Sequence, residues 1–444
     1  MLAPLLCRYD FNVNPLGETI VAPITGVGRA AVALVRLSGP RAWEIGKHVF
    51  RQWPDPVVPK VATYGRYVTG DDGLTLPFEE GKSYTGEQSV EFSVHGSPAS
   101  VRALTEACLA AGCRPAEPGE FTYRAFMNGR IDLSQAEGVR ETVDALTDSQ
   151  LRLANRMRAG ALRESVARVS SLVRSVLVAI EASTDFSEEI GDLDVPVAFD
   201  KLSKAREQLR KLVSASSRSW VVEGLTVAIL GRPNAGKSSL LNAVIGSDRA
   251  IVTEVPGTTR DTIEVTCDVQ GFPIRFVDTA GIRESEDVAE KLGVERSLEA
   301  AETADHVWYV FDQATGWSDD DDAVLASIRR PVTLVGNKSD LAETEFEGVH
   351  VSAKSGAGLE ALLATLVARF HDLPEVVPNR RHRPLLSEAA MAINDAMESL
   401  QSGMPDDLAS VHLRAALRRL GEVSGDNAAE DIIEQVFHDF CIGK

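Results

Sequence analysis

Cysteine is scarce in this chain, and the few cysteines present are not paired in sequence. The 444 residues include five cysteines, and no two of them form a Cys-x-x-Cys pair. An odd number of cysteines without that spacing argues against a disulfide framework and against a zinc site. We therefore expect reduced thiols.

Long apolar runs are also missing. No stretch of eighteen consecutive apolar residues occurs, and the apolar patch at the N-terminus ends at Arg8 and Asp10. These features support neither a membrane span nor a secretory signal. We expect a cytoplasmic protein, and its hydrophobic content of 44% is enough to build buried cores.

Basic residues are outnumbered by acidic ones, 46 to 65, so the formal net charge is −19. An acidic total argues against a general attraction of the whole surface to nucleic acid. One segment departs from this balance, because residues 151–175 contain six arginines and a single acid, Glu164. That segment is either a solvated helix face or a surface for tRNA.

Hydrophobic patterns divide the chain into four segments. Short β-type runs separated by turn signals occupy residues 18–133, whereas apolar residues recur every three or four positions in 134–220 and 376–444. Residues 221–375 alternate apolar strands with capped helices. Because the termini of a compact domain often lie close together, we predict one helical domain, split in sequence, that carries an inserted α/β domain. The predicted fold class is multidomain, α+β and α/β.

The segment VAILGRPNAGKSSLLN contains a phosphate-binding motif. Residues 231–238 fit the pattern G-x-x-x-x-G-K-[ST], between an apolar strand and the start of a helix. Glycine lets backbone N–H groups turn toward phosphates, Lys237 adds positive charge near the β and γ oxygens, and Ser238 offers a hydroxyl to Mg²⁺. With strand and helix both in place, a chance glycine-rich turn is a poor alternative.

Three further segments follow in the order that a nucleotide switch needs. FVDTAG places Asp278 at a strand end, near the Mg²⁺ shell, and Gly281 where a backbone N–H meets the γ-phosphate. LVGNKSD places Asp340 where its carboxylate accepts hydrogen bonds from N1–H and the exocyclic amine of guanine, a donor pair that adenine lacks. VSAKSG supplies backbone for the guanine carbonyl. This order predicts a Ras-like P-loop GTPase domain over 221–375.

The predicted GTP-binding residues fall in four groups. They are Asn234, Ala235, Gly236, Lys237, Ser238 and Ser239; Thr253, Glu254, Val255, Pro256, Gly257, Thr258 and Thr259; Asp278, Thr279, Ala280 and Gly281; and Asn337, Lys338, Ser339, Asp340, Ser352, Ala353 and Lys354.

The mechanism of hydrolysis differs from that of Ras, because Ile282 stands where Ras-like proteins have the glutamine that orients water. No arginine finger is evident. Asn234 and the segment TEVPGTTRD suggest instead that oxygens of the loop bind a monovalent cation where the finger charge would be. The oxygens concerned belong to Thr253, Val255 and Thr258. A switch loop without a second cation is the alternative.

The sequence ends in Cys441-Ile442-Gly443-Lys444, directly after an amphipathic stretch. A prenylation signal is not supported, because Gly443 is not aliphatic and Lys444 is not a usual terminal residue of such signals. The remaining alternatives are a frayed helix end and a chemical site. Taken alone, a free cysteine is more often a packing residue.

Together these motifs resemble one family. GRPNAGKSSLLN, PGTTRD, DTAGIRE and NKSD are similar to the GTPase domain of the MnmE family of tRNA-modification GTPases, also called TrmE. SYTGEQSVEFSVHG, PGEFTYRAFMNGRIDLSQAEGV, DFSEE and CIGK lie outside that domain and extend the resemblance over nearly the whole chain. Ribosome-associated GTPases share the first set of motifs and not the second.

The resemblance implies a dimerising N-terminal domain that binds 5-formyltetrahydrofolate or 5,10-methylenetetrahydrofolate, and a K⁺-activated GTPase domain that binds GTP or GDP and Mg²⁺. It implies a homodimer that acts with the flavoprotein MnmG, which carries FAD, on tRNA. The product is a carboxymethylaminomethyl-type group on C5 of the wobble uridine. A GTPase switch in ribosome assembly and a nucleotide-gated scaffold without a chemical role are the alternatives.

The same resemblance assigns roles to single residues of this sequence. Folate contacts are implied for Arg36, Glu87, Arg130 and Lys444; K⁺ binding for Asn234, Thr253, Val255 and Thr258; Mg²⁺ binding for Ser238 and Thr259; and orientation of water for Glu290. Cys441 is implied at the site of one-carbon transfer, either as a nucleophile toward the uracil ring or as a group that positions others. The sequence departs from the family pattern at several positions: Arg130 stands where lysine is common, Tyr123 replaces a usual basic residue, Ser97 turns HGG into HGS, and the usual glycine-rich N-terminal stretch reads ITGVGRAAVAL.

Overall fold

The computed structural model describes most of the chain and gives the bounds of its helices and strands. The described residues are 17–26, 28–185, 189, 191–216, 221, 224–246, 263–278, 300–368, 374–402, 406–438 and 440–444. The strands are β1 Ile20–Pro23, β2 Val32–Ser38, β3 Thr63–Arg66, β4 Asp72–Phe78, β5 Ser89–His95, β6 Arg114–Pro115, β7 Leu225–Leu230, β8 Ile263–Val269, β9 Phe272–Asp278, β10 His306–Asp312, β11 Val332–Asn337 and β12 Val349–His350.

Helices occupy three parts of the sequence. They are α1 Ala42–Val49, α2 Pro98–Ala110, α3 Glu120–Met127, α4 Leu133–Asp144, α5 Asp148–Arg158, α6 Ala161–Asp185, α7 Val195–Ser216, α8 Lys237–Gly246, α9 Asp319–Ser327, α10 Leu359–Val367, α11 His382–Gln401, α12 Asp406–Ser424 and α13 Glu430–His438. Within this part of the chain, no helix is both long and apolar enough to cross a membrane.

The chain forms two compact units. Unit 1 consists of residues 1–140 and 414–444, and unit 2 of residues 141–413. This division differs from the predicted segments 18–133, 134–220, 221–375 and 376–444, because the second predicted helical segment is divided at residue 413. Its C-terminal part packs with the sheet-rich N-terminal residues. The four predicted boundaries themselves stay predictions.

Unit 1 is built on a six-stranded sheet in the order β3-β4-β5-β2-β1-β6. Neighbouring strands are antiparallel except β1 and β6, which are parallel. Alternate residues of β2, such as Val35 and Leu37, are fully buried and pack with Ile45 of α1 and Leu104 of α2. The period-2 pattern of these strands thus places one face of the sheet in the core.

The C-terminal residues of unit 1 pack against α3 and the start of α4. Phe437 of α13 is fully buried, and its ring lies 5.4 Å from that of Tyr123 and 6.0 Å from that of Phe126. Tyr123, which replaces a usual basic residue, is therefore part of an aromatic cluster under α13. Burial raises the pKa of its hydroxyl.

Unit 2 contains the α/β sheet, in the order β12-β11-β10-β7-β9-β8. All neighbouring strands are parallel except the β8–β9 pair. β10 is buried at six of its seven positions, as expected for a central strand covered on both faces. The parallel strands β7 and β11 end at the same edge of the sheet, so the phosphate and guanine motifs that follow them begin there.

The sequence pattern predicted an apolar helical stripe from Val139 through Val143 to Ile180, with a longer step between Leu146 and Leu153, and the helices that carry it are interrupted twice. Thr147 caps α5 through a capping box with Gln150, and Gly160, at φ 95°, separates α5 from α6. Both interruptions have local causes, since a side-chain cap begins a helix and a left-handed glycine ends one. Val143, assigned to the apolar stripe, is 47% exposed.

Candidate functional site

The phosphate loop, residues 231–238, joins the buried strand β7 to α8. Gly231 has φ 143°, and a Cβ at this position would collide with the carbonyl oxygen of Val310. Asn234 and Gly236 are also left-handed, at φ 62° and 90°. Such a backbone turns successive N–H groups toward a common centre, which is the arrangement that binds anionic phosphates. Mg²⁺-GTP therefore fits the chemistry of this loop.

Lys237 is held over the loop by main-chain oxygens. Its Nζ donates to the carbonyl of Gly231 at 2.7 Å and to that of Arg232 at 2.9 Å. The ammonium group is thus fixed across the phosphate loop, where the motif predicted a positive charge. Ser238 is the second residue of α8, so its hydroxyl lies at the helix start where anions and their metal ions bind.

Asn337 connects the two ends of the nucleotide site. Its side chain is 1% exposed; Nδ2 donates to the carbonyl of Ala235 at 2.9 Å, and Oδ1 accepts from the N–H of Ala353 at 3.1 Å. The Gly236 position is packed so closely on Asn337 that a Cβ there would collide with Nδ2. Asn337 therefore joins the phosphate loop to the segment 352–354.

Asp340 is placed to bind a base. Its carboxylate is exposed, and Oδ1 accepts a hydrogen bond from the Ser352 hydroxyl at 2.7 Å. This bond holds the pKa of Asp340 below its ordinary value, so the group is an acceptor at neutral pH. Lys338 forms an ion pair with Asp312, at 2.8 Å between Nζ and Oδ2. The structure thus brings together the predicted phosphate and guanine residues that it describes.

A second group of predicted residues meets in unit 1, around the C-terminal tail, residues 440–444. The carbonyls of Cys441 and Lys444 accept hydrogen bonds from the N–H groups of Gly119 and Phe121, at 3.3 and 3.1 Å. Gly443 has φ 96°, and a Cβ there would collide with the carbonyl oxygen of Pro23. The tail is therefore docked at the start of α3, and Cys441 is exposed.

Arg36 lies beside the same helix start. Its guanidinium carbon is 5.0 Å from the ring centre of Tyr84 and 5.2 Å from that of Phe121. Its Nη2 is 2.8 Å from Oε1 of Glu91. Phe121 thus contacts the Lys444 carbonyl through its N–H and the Arg36 side chain through its ring, so two of the four predicted folate residues are brought together.

The other two predicted folate residues flank Gly86. A Cβ at Gly86, which has φ 83°, would come within 3.1 Å of Cγ of Arg130. Glu87 follows directly, and both of its carboxylate oxygens accept from Nη1 of Arg124 at 3.0 Å. The structure therefore packs Arg130, which follows α3, against the turn that carries Glu87.

Two family models match the chain in complementary ranges. One, described as the MnmE helical domain, covers residues 133–441, and the other, described as the GTP-binding protein TrmE N-terminus, covers residues 19–130. The chain belongs to the MnmE family. The multidomain fold class predicted from the sequence, with a TrmE-type N-terminal domain and an inserted P-loop GTPase domain, is confirmed, and the chain is a GTP hydrolase of this family.

Relatives of the MnmE family match over almost their full length. The chain is 40% identical over 460 residues to the tRNA modification GTPase MnmE of Carboxydothermus hydrogenoformans, covering 96% of this chain and 99% of that one. It is 38% identical over 452 residues to the MnmE of Thermotoga maritima, covering 96% and 100%. A solved structure of Era from Aquifex aeolicus is 28% identical and covers 38% of this chain and 66% of that one, at a TM-score of only 0.27.

Several residues predicted from the MnmE motifs lie outside the described residues. These are Thr253, Glu254, Val255, Pro256, Gly257, Thr258, Thr259, Thr279, Ala280, Gly281 and Glu290. Asp278 is the last residue of β9, but its side chain also lies outside the described part. Of the predicted K⁺ set, the structure therefore describes Asn234, and of the predicted Mg²⁺ pair it describes Ser238.

Sequence reasoning missed the buried ion network of this MnmE-family chain. Arg124 is fully buried and binds Glu87 on one side and Glu120 on the other, with Nη2 at 2.8 Å from Oε1 of Glu120. Burial tends to raise the pKa of Glu120, but the hydrogen bond from Arg114 and the charge of Arg124 outweigh it, and the pKa lies below its ordinary value. The signal available was the spacing of Glu120 and Arg124, four residues apart in PGEFTYRAF.

Proposed function

We propose that this chain hydrolyses GTP as part of a reaction that adds a carboxymethylaminomethyl-type group to C5 of the wobble uridine of certain tRNAs. The observation that carries the proposal is the docked tail. A GTPase switch alone needs the phosphate and guanine loops, whereas here an exposed thiol is also held at the start of α3, in the same unit as Arg36, Glu87 and Arg130. Relatives that match this chain over almost its full length bear the name tRNA modification GTPase.

The GTPase part of the proposal uses the phosphate loop and the guanine motif. Lys237 would neutralise charge on the β and γ phosphates, Ser238 would hold Mg²⁺ together with Thr259, and Asp340 would select guanine. Mg²⁺ supplies electrostatic stabilisation of the transferring phosphoryl group. We further propose that Glu290 orients the attacking water and that K⁺ binds between Asn234 and the oxygens of Thr253, Val255 and Thr258. The left-handed Asn234, at φ 62°, supports a special role at this loop position.

The tail site fits a folate by its chemistry. Folates combine an aromatic ring that carries hydrogen-bond donors with anionic carboxylates. Glu87, held by buried Arg124, offers a fixed acceptor to such donors, while Arg36, Arg130 and Lys444 offer cationic side chains. When bound, 5-formyltetrahydrofolate or 5,10-methylenetetrahydrofolate supplies the one-carbon unit. Cys441 contributes its thiol at this site.

The partners proposed are those of the family: a second copy of the chain, the FAD-containing flavoprotein MnmG and tRNA, all in the cytoplasm. Their support is the family membership and the match over nearly the whole chain.

The test is mass spectrometry of wobble nucleosides from a strain that lacks this gene, complemented with wild type or Cys441→Ser. Wild type should restore the modified nucleoside. Cys441→Ser should fail to restore it while its GTPase rate stays normal, because a serine hydroxyl is not appreciably ionised at neutral pH and the phosphate and guanine residues lie in the other unit. Unchanged nucleosides in the deletion strain, with defective ribosomal subunits, would overturn the proposal in favour of a ribosome-assembly switch.

A further inference from the structure

Two helices of unit 2 carry an unusual concentration of arginine. We define the arginine face as the six arginines of α5 and α6, all of which have exposed side chains. They are Arg152, Arg156, Arg158, Arg163, Arg168 and Arg174. Between residues 151 and 175 a single acid, Glu164, accompanies them. The segment is therefore locally cationic in a chain whose formal net charge is −19.

Three members of the arginine face have no carboxylate partner. Arg152, Arg156 and Arg174 form no ion pair or side-chain hydrogen bond with any residue that the structure describes. Arg168 lies 4.0 Å from Glu164, at the limit of an ion pair. The positive charge of these side chains is thus left largely uncompensated within the described part of the chain.

The neighbouring helix α7 shows that exposed basic residues of unit 2 do not generally lack carboxylate partners. Three of its four exposed cations have carboxylate partners one turn away, among them Lys204 with Asp200 at 2.6 Å and Arg210 with Glu207 at 2.9 Å; the fourth, Arg206, donates to Asn394. Lys211 lies 3.9 Å from Glu207. Neutralisation of this kind is the usual arrangement on a solvated helix. Arg152, Arg156 and Arg174 lack carboxylate partners among the described residues, so the arginine face differs from a neutralised helix surface.

The helix dipole accounts for Arg156 and Arg158, which lie in the last turn of α5, but it does not account for the arginines of α6. A cation stabilises a helix when it lies in the last turn, and the last turn of α6 contains no basic residue. Arg163 and Arg174 are eleven residues apart, which at 1.5 Å per residue is roughly 16 Å along the helix, and they project in nearly the same direction around its axis. They are spaced to contact an extended anionic chain.

We infer that the arginine face binds the phosphate backbone of the RNA substrate; this inference rests on the proposed function. Guanidinium groups bind phosphate oxygens in a bidentate manner, and phosphate contacts supply most of the sequence-independent affinity for nucleic acids. The rest of the surface is acidic overall and repels the RNA. The arginine contacts therefore also orient the RNA. The face positions the RNA and does not select its sequence.

The test compares two triple variants of the full-length protein, with unmodified tRNA as the probe. Arg152→Gln/Arg156→Gln/Arg174→Gln removes three unpaired charges, and Lys204→Gln/Arg210→Gln/Lys211→Gln removes three paired ones from α7. Binding is measured by fluorescence anisotropy at several salt concentrations. The arginine variant should bind roughly tenfold or more weakly at low salt, and its slope of log K against log salt should fall by about 2 to 3, at 0.7–0.9 per phosphate contact.

The α7 variant should change that slope by less than about 1, and both variants should keep the wild-type GTPase rate. Equal losses of tRNA affinity in the two variants would mean that the arginine face acts only through total charge. An unchanged slope in the arginine variant would overturn the inference. Failure of the proposed function is a separate outcome. It would appear as absence of the modified wobble nucleoside with wild type, whatever the binding slopes are.

Discussion

Nε of Arg232, the second residue of the phosphate loop, lies 3.0 Å from Oδ1 of Asp321, in the first turn of α9. Asp321 is fully buried, and the same Oδ1 accepts from the hydroxyl of Tyr309 at 2.8 Å. Nη2 of Arg232 also donates to the carbonyl of Gly316 at 2.5 Å. The phosphate loop is therefore anchored to the acidic stretch 319–322.

Asp321→Asn should destabilise the protein by about 1–3 kcal/mol, because Arg232 would lose its counter-charge and Tyr309 its ionised acceptor. The estimate stays below that for a fully buried pair, since the Arg232 side chain is 32% exposed. Affinity for GTP should fall as the loop loosens. Thermal unfolding and nucleotide titration measure both effects. Asp320→Asn, at an exposed neighbouring position, is the matched control and should change neither.

Asp340→Asn should shift nucleotide preference from GTP to xanthosine triphosphate. In the proposed guanine site the carboxylate would accept two hydrogen bonds from guanine, whereas an amide also donates, and xanthine presents an oxo group where guanine has its amine. A competition assay between the two nucleotides measures the shift. Retention of the wild-type preference would show that Asp340 does not contact the base.

Hydrolysis of GTP should be faster in K⁺ than in Na⁺ at equal ionic strength. The physical reason is that Ile282 cannot orient water, while Asn234 and the segment TEVPGTTRD offer oxygens to a second cation. With a transition-state mimic, the protein should dimerise through its GTPase domains when K⁺ is present and stay undimerised there when it is absent. Equal rates in the two salts would leave the switch loop without a second cation as the better model.

Gly443→Ala should release the tail from the start of α3. Alanine at φ 96° is strained, and its Cβ would collide with the Pro23 carbonyl oxygen. Hydrogen exchange of the Phe121 N–H, whose acceptor is the Lys444 carbonyl, should accelerate, and wobble modification should fall while GTPase activity persists. Gly70→Ala is the control, because Gly70 has φ 92° and open space around it. Comparable effects in both variants would mean that backbone strain alone was responsible.

The cysteines should differ sharply in alkylation by iodoacetamide. Burial raises the pKa of Cys113 and of Cys267 to about 11 in each case, so both thiols stay protonated and unreactive at pH 8. Cys441 is exposed and should be labelled first. Labelling of Cys113 and Cys267 should rise only as the pH approaches 10–11. Peptide mass spectrometry in a Cys7→Ser background, which removes the thiol outside the described residues, resolves the sites.

The placement of the phosphate loop and of Asp340 at one sheet edge was predictable because its determinants are local. A strand, a glycine turn and a helix start follow one another in the sequence around Lys237, and the position of Asp340 directly after β11 settles its place at the same sheet edge. Contacts across long sequence distances were not predictable in this way. Arg232 and Asp321 are separated by 89 positions, and nothing in either neighbourhood identifies the partner.

The C-terminal tail also depends on contacts across long sequence distances. From composition and pattern alone, Cys441 could belong to a frayed helix end or to a chemical site. Only the resemblance to the MnmE family favoured the chemical site. The hydrogen bonds from Gly119 and Phe121 involve main-chain groups, which have no sequence signature. By contrast, the interruption of the helical stripe at Thr147 could have been predicted, since Thr147 and Gln150 have the spacing of a capping box.

A single amide, that of Asn337, spans the distance between the carbonyl of Ala235 and the N–H of Ala353. In the proposed nucleotide site, Asn337 thus couples the segment that would meet the base directly to the loop that would meet the phosphates. Binding energy from the two ends should therefore be non-additive. Removing the base contact at Asp340 should also weaken the discrimination between GTP and GDP, although Asp340 touches no phosphate.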